Sequence, residues 1–251
     1  MKNHVDLKIE REHPDSLHKN PTGDPSIGYP QICIRTNRNA QRTDLKIVTE
    51  KTNEIADQYP ENKVERAKHV IAALNSIFGG GSFGHAWIII FNSEKEGDYS
   101  SYAYHLGYGY VHNGDTEGHT NDSNKRGFSY QHIVSLDRKK ITALENNIIP
   151  GINVISTAIA YAMGYSPAEG RQGVYSAVTN CSWFAGHVWN LVTSENIEFA
   201  QPFPGIDYAE RWGIDACYLL SRIADPGVIA ESLSMTDIGY DRPVNRETGP
   251  A

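Results

Sequence analysis

A cysteine that opens a helix is the first place where residue type and position together could do chemistry. The run Thr179-Asn180-Cys181-Ser182-Trp183-Phe184-Ala185-Gly186-His187-Val188-Trp189-Asn190-Leu191-Val192 carries Phe184, Val188, Leu191 and Val192 at i, i+4, i+7 and i+8. That is the apolar stripe of a 3.6-residue period. Asn180, or Thr179 beside it, is the residue type whose side-chain oxygen caps a helix start. Cys181 would then sit where unpaired backbone N–H groups and the positive end of the helix dipole favour a thiolate. A cysteine that only packs needs none of this.

A thiolate nucleophile requires a base within hydrogen-bond reach, and the base requires a group to orient it. Of the ten histidines, His85 stands out because it follows a glycine and opens an apolar run, where a polar tip meets a buried strand. His105 lies in the next strand region and could orient the His85 imidazole if the two strands are neighbours, with Tyr102 and Tyr104 as alternatives. His187 is six positions after Cys181 on the same helix, roughly 240° round, so it cannot face that sulfur; it reads as a surface or core-edge histidine.

Other chemistry is weaker. Residues 113–124 hold oxygen-bearing side chains at places 1, 3, 5, 9 and 12 of an EF-hand-like loop, with Gly118 at place 6. Asn124 stands where a bidentate Glu is needed, so a solvated polar loop is expected rather than a calcium site. Gly79-Gly80-Gly81 lacks the following Lys-Ser/Thr of a phosphate cradle and leads into a strand. Neither a His-Glu-x-x-His zinc site nor a Gly-x-Ser-x-Gly elbow occurs. The cysteines at 33, 181 and 217 are far apart, which argues against disulfides or a zinc knuckle. No metal and no cofactor is expected.

These residues need a scaffold. Hydrophobic residues at 39% and charged residues at 21% are ordinary for a globular chain, and 251 residues allow a sizeable core. The net charge of −7 argues against a nucleic-acid partner. The first residues lack the apolar core of a signal peptide, and the run from Ala86 to Phe91 is too short to span a bilayer. Synthesis in the cytoplasm without membrane insertion is expected. Residues 1–28 read as a polar, loosely held arm, 29–235 as one catalytic domain, and 236–251 as a frayed tail.

Within the domain, residues 32–36 form a short strand and 62–78 an amphipathic helix. The run Phe83-Gly84-His85-Ala86-Trp87-Ile88-Ile89-Ile90-Phe91 is a strand covered on both faces. Residues 99–110 and 128–136 are further strands. Helices are expected over 137–148, capped by Asp137, over 153–163, from Cys181, over 216–223 and over 228–233. Helix, strands, then helices predicts an α+β domain with a mainly antiparallel sheet.

The strings Gly84-His85-Ala86-Trp87-Ile88 and Thr179-Asn180-Cys181-Ser182-Trp183-Phe184-Ala185, with a tyrosine-rich strand and Ile133-Val134-Ser135-Leu136 between them, resemble the circularly permuted papain-like superfamily. Within it they are similar to NlpC-type cell-wall amidases and peptidases and to lecithin–retinol acyltransferase-like enzymes. The likeness covers about residues 80–195. It implies a papain-like fold with Cys181 as nucleophile, His85 as general base and His105 as the third polar residue. It further implies an oxyanion hole formed by the Cys181 backbone N–H, completed by Tyr175 or Asn180. The substrate class it favours is a peptidoglycan stem peptide. Together with the missing signal peptide, that suits an antibacterial effector delivered to a target-cell periplasm by a type VI-like secretion machine, with an immunity protein as a possible partner. The alternatives are a lipid acyltransferase or thioesterase using the same dyad, and a non-catalytic binding module in which Cys181 packs.

Overall fold

The computed structural model describes residues 17–79, 83–114 and 122–235. Residues 1–16 of the expected arm and the expected tail from 236 lie outside the described residues. The rest is an α+β fold: an antiparallel sheet packed against helices.

Five strands form the sheet: β1 (Gln31–Thr36), β2 (Ala86–Phe91), β3 (Tyr99–His105), β4 (Gly109–His112) and β5 (Tyr130–Ser135). Their order is β4-β3-β2-β1-β5, and every neighbouring pair is antiparallel. The region expected as one strand over 99–110 is two, joined by a turn at residues 106–108. β1 and β2 are buried throughout because both faces are covered. Alternation sends Ile32, Ile34, Ala86, Ile88, Ile90, Tyr102 and Tyr104 to one face, and Cys33, Trp87, Ile89, Phe91 and Ala103 to the other.

The first face packs on α5 (Cys181–Val192) through Phe184, Ala185, Val188 and Trp189, all fully buried. Leu191, assigned by periodicity to the buried stripe, is instead 60 % exposed. On that side also lie α3 (Arg138–Ala143), α4 (Ile149–Ala162) and a wide π turn (Leu144–Ile148) that joins them without a break. The wide turn precedes Pro150, which brings no N–H to a regular ladder. A separate core gathers α1 (Leu45–Ala56), α2 (Lys63–Gly79) and α6 (Gly205–Trp212) around Phe203 and Trp212. Periodicity located α2 but not α1, whose buried face is Val48, Thr52 and Ala56 and so carries little apolar signal.

The helix expected over 216–223 is not formed. Residues Asp215–Leu219 make a 3₁₀ turn, and β7 (Arg222–Ala224) instead pairs with β6 (Ala200–Pro202). A partner distant in sequence, with Ile223 opposite Gln201, outweighs the local pattern. α7 (Pro226–Met235) packs over β1 and β5.

Residues 17–28 are pinned rather than loose. His18 and Phe128 exchange backbone hydrogen bonds of 2.9 and 3.0 Å. The fully buried Arg35 on β1 donates to the carbonyls of Asn20 (2.5 Å) and Asn124 (2.9 Å) and to Gln131 Oε1 (3.2 Å), its guanidinium lying over the Phe128 ring.

Asp225 fastens the end of the domain to its beginning. It is fully buried and accepts from Thr43 N–H (2.6 Å), Gln201 Nε2 (2.8 Å) and Gly227 N–H (2.8 Å), with Arg38 at 3.9 Å. Asp225→Ala strands these three donors in a dry site, so a loss of about 3–5 kcal/mol is expected in urea denaturation. A loss under 1 kcal/mol would show that the clamp is dispensable.

Candidate functional site

Asn180 caps α5 as expected. Its Oδ1 accepts from Ser182 N–H (3.0 Å) and Trp183 N–H (3.1 Å), and its Nδ2 donates to the carbonyls of Ala177 (3.1 Å) and Ala224 (2.9 Å). Its amide donors are spent on structure, which corrects its expected place in an oxyanion hole. Tyr175 is corrected on the same ground: its one O–H donates to the Phe78 carbonyl at 2.5 Å, and its oxygen lies against both the thiol and the backbone N–H of Cys181, so it has no proton for an oxyanion.

Cys181 does open α5, but its side chain is 1 % exposed. Burial pushes the thiol up, and hydrogen bonding from the Ala86 backbone and Ser182 only partly offsets this. The expected resting thiolate is therefore corrected: desolvation outweighs the helix terminus, and Cys181 rests protonated.

The thiol faces Ala86 because the sheet opens there. β2 and β3 pair from Phe91↔Tyr99 to Ile88↔Tyr102 and no further, whereas β1 follows β2 to Ala86 and β4 follows β3 to His105. The Ala86 amide, freed from β3, turns to the Cys181 sulfur. Gly84, at φ 87°, swings the chain into β2 and leaves His85 at the same opening.

His85 and His105 are neighbours across this opening, with ring centroids 4.6 Å apart. The expected contact between them is mediated by a residue that sequence reasoning missed, Asp122. Its Oδ1 is 3.0 Å from His85 Nε2 and its Oδ2 is 2.5 Å from His105 Nε2, while Arg126 Nη1 donates to Oδ1 at 2.6 Å. Asp122 stood at place 10 of the loop read as solvated, a place with no ligand role, yet it is 1 % exposed. Nothing local in the sequence marks it; only the return of the loop across β2 and β3 does.

Burial raises the cost of charging Asp122, but the two imidazoles outweigh it and hold the carboxyl well below its usual range. Burial also drives His85 down to about 4, against the pull of Asp122 and with help from Arg126. At neutral pH an ionised carboxylate thus receives Nε2–H from His85, which leaves Nδ1 as the basic nitrogen of a neutral imidazole.

The His85 ring stacks on Trp87 at 5.4 Å, on the sheet face away from α5. Cys181 and His85 thus meet the opening from opposite faces, and no hydrogen bond joins thiol to ring: the side-chain neighbours of the sulfur are Ser182 Oγ at 3.9 Å and the Tyr175 hydroxyl. Tyr102 and Tyr104, the alternative orienters, are engaged elsewhere, with Glu145 and with Asn153 and Ser156. His187 lies half-buried on the far flank of α5, consistent with its reading as a core-edge residue.

His85, His105 and Asp122 bring their ligand atoms within 4.8 Å of one another, a donor set that suits a divalent cation in type. Arg126 opposes one, because its guanidinium occupies Oδ1 and lies over the Trp87 ring. The calcium-loop pattern falls largely on residues 115–121, outside the described residues. Its ends point elsewhere: Asn113 Oδ1 accepts from Ser101 N–H and Asn124 Nδ2 donates to the Pro21 carbonyl.

No protein-family model, no curated protein and no solved structure matches this chain. Among the described residues no helix is long and apolar enough to cross a membrane.

Because His85 takes up a proton at 6.5 when unfolded but near 4 in the folded protein, the unfolded chain binds more protons between those values. Stability contributed by neutral His85 is whole above pH 6.5 and is lost as pH falls towards 4. Melting temperature should decline over that window in the wild type and decline less in His85→Gln. Equal slopes for the two proteins would refute the assignment.

Proposed function

We propose that the protein is a cysteine hydrolase that cleaves an amide bond, with Cys181 as nucleophile and His85 as base. The observation that carries this reading is the break in the β2–β3 ladder, where the Cys181 sulfur meets the Ala86 amide one residue after His85, whose ring Asp122 ties to His105. The residue types and order match the permuted papain-like resemblance, and the mechanism follows from the groups present.

His85 Nδ1 takes the thiol proton as the sulfur attacks the carbonyl carbon. The new C–S bond forms while charge gathers on the oxygen, where the Cys181 backbone N–H can donate to it in place of Tyr175. The imidazolium, steadied by Asp122, then returns the proton to the departing amine as the C–N bond breaks. Water, deprotonated by the same nitrogen, releases the acid. Asp122 fixes the tautomer and is itself held by His105 and Arg126; His105 acts through Asp122 rather than on the thiol.

At rest the thiol and the neutral imidazole lie on opposite faces of the opening, so substrate binding must bring sulfur and ring together. Catalytic hydrogen bonds commonly tighten only in the substrate complex. A peptidoglycan stem peptide, met in a target-cell periplasm, is the substrate class we favour. An acyl-transfer reading would want an apolar entrance to the thiol, and the large apolar cavity of this protein opens on the other flank of α5.

Dibromoacetone, which can alkylate a sulfur and a ring nitrogen in turn, tests the convergence directly. A Cys181–His85 cross-link in peptide mass spectra is expected; alkylation of Cys181 alone, with no link at any pH between 5 and 9, would overturn the dyad. Expression in a bacterial periplasm should cause lysis with release of muropeptide fragments, while Cys181→Ala should be harmless. Lysis by the alanine variant would defeat the hydrolase reading. Asp122→Asn should lower kcat by about 10²- to 10⁴-fold with KM little changed. EDTA should leave turnover unaltered, and a loss that zinc restores would transfer the reaction to a metal on the same three side chains.

A further inference from the structure

We propose that the apolar cavity on the far flank of α5 is a binding site for a neutral long-chain amphiphile. The proposal does not depend on the hydrolase reading. The cavity encloses about 470 Å³ between α4, α5, β6 and β7, within the roughly 300–1,000 Å³ of small-molecule sites. Ile159, Met163, Trp183, Phe199 and Leu220 supply its walls, and Leu219, 88 % exposed, stands at its rim.

The site is separate from the thiol. His187 follows Cys181 by six positions, roughly 240° round the helix, and faces away from the sheet opening, while Trp183 stands between the two regions, its ring 6.3 Å from Tyr104 and 4.7 Å from His187. Cys181 is not among the lining residues.

Two polar side chains border the space, and they define the head of the ligand. Arg222 is already occupied: it donates to Glu198 Oε2 at 2.6 Å and to the Ala200 carbonyl. Glu198 already neutralises its charge, so an anionic head gains less there than beside an unpaired guanidinium. His187 is different, held edge-on between Trp183 (4.7 Å) and Phe199 (4.9 Å) and making no hydrogen bond to any described residue. Burial lowers its affinity for protons, so it presents a neutral donor and acceptor to the cavity. A hydroxyl, ester or amide beside His187 with an aliphatic chain along Ile159 and Met163 satisfies both the imidazole and the walls.

The chain can enter beside α4. That helix, Ile-Pro-Gly-Ile-Asn-Val-Ile-Ser-Thr-Ala-Ile-Ala-Tyr-Ala, carries no charge, and it leaves Val154, Ile155 and Tyr161 more than half exposed while lending Ile159, Ala162 and Met163 to the cavity. Occupancy would also bear on α5 itself. Ala224 and Val178 line the cavity, and the Ala224 carbonyl accepts the Asn180 side chain that caps the nucleophile helix.

Bromoundecanol, a bromine-tipped alcohol used below its micelle concentration, provides the test with the full chain, because bromine quenches a touching indole. Saturable quenching of tryptophan fluorescence in the micromolar range is expected, with most of the signal absent in Trp183→Phe. Ala162→Phe, which narrows an exposed rim position and should not disturb folding, should abolish saturation while circular dichroism stays unchanged. His187→Phe, which keeps the wall apolar but removes the polar group, should weaken the alcohol about fivefold. Non-saturable quenching, or equal quenching in Ala162→Phe, would overturn the site. Tighter binding of bromoundecanoate than of the alcohol would overturn the neutral-head assignment.

Discussion

An ionised carboxylate sealed inside a protein must be compensated on the spot, and the site of this molecule is arranged around that requirement. Asp122 gives one oxygen to His105 and the other to His85 and Arg126. No local helix or strand places it there. The loop that carries it is held by Arg35, a buried cation whose donors go to main-chain carbonyls and a glutamine. Two buried charges of opposite sign therefore act at different levels, one organising the loop and the other organising the imidazoles.

The second constraint is the interrupted ladder. A central strand normally uses its N–H groups on both neighbours, and β2 does so only from Ile88 onward. Where pairing with β3 stops, the Ala86 amide serves the thiol instead. Tight packing of α5 against Ala86 brings the sulfur close but also removes it from water, which keeps it protonated. A neutral thiol is the consequence of that burial, in place of the thiolate that a helix terminus in water would favour.

α5 thus has two distinct flanks. One presents the cysteine to the sheet; the other presents Trp183 and His187 to an apolar cavity. Asn180 belongs to both, since its side chain caps the helix and is tied to a cavity-lining strand.

How much of this was legible in the sequence follows from the range over which each force acts. The helix start at Cys181, its Asn180 cap, the doubly covered strand at β2 and the α+β class are set by neighbours a few residues away, and they were legible. β7 reads as helix in its local sequence because its partner strand lies some twenty residues upstream. α1 shows no apolar period because Thr52 and Ala56 fill its buried face beside Val48. His85 and His105 could be nominated as partners, but the carboxylate between them could not, since Asp122 differs from any solvated loop aspartate only by where the chain returns. Spacing and capping are local and are written in the sequence; desolvation, the broken ladder and the charge cluster exist only once distant segments are packed together.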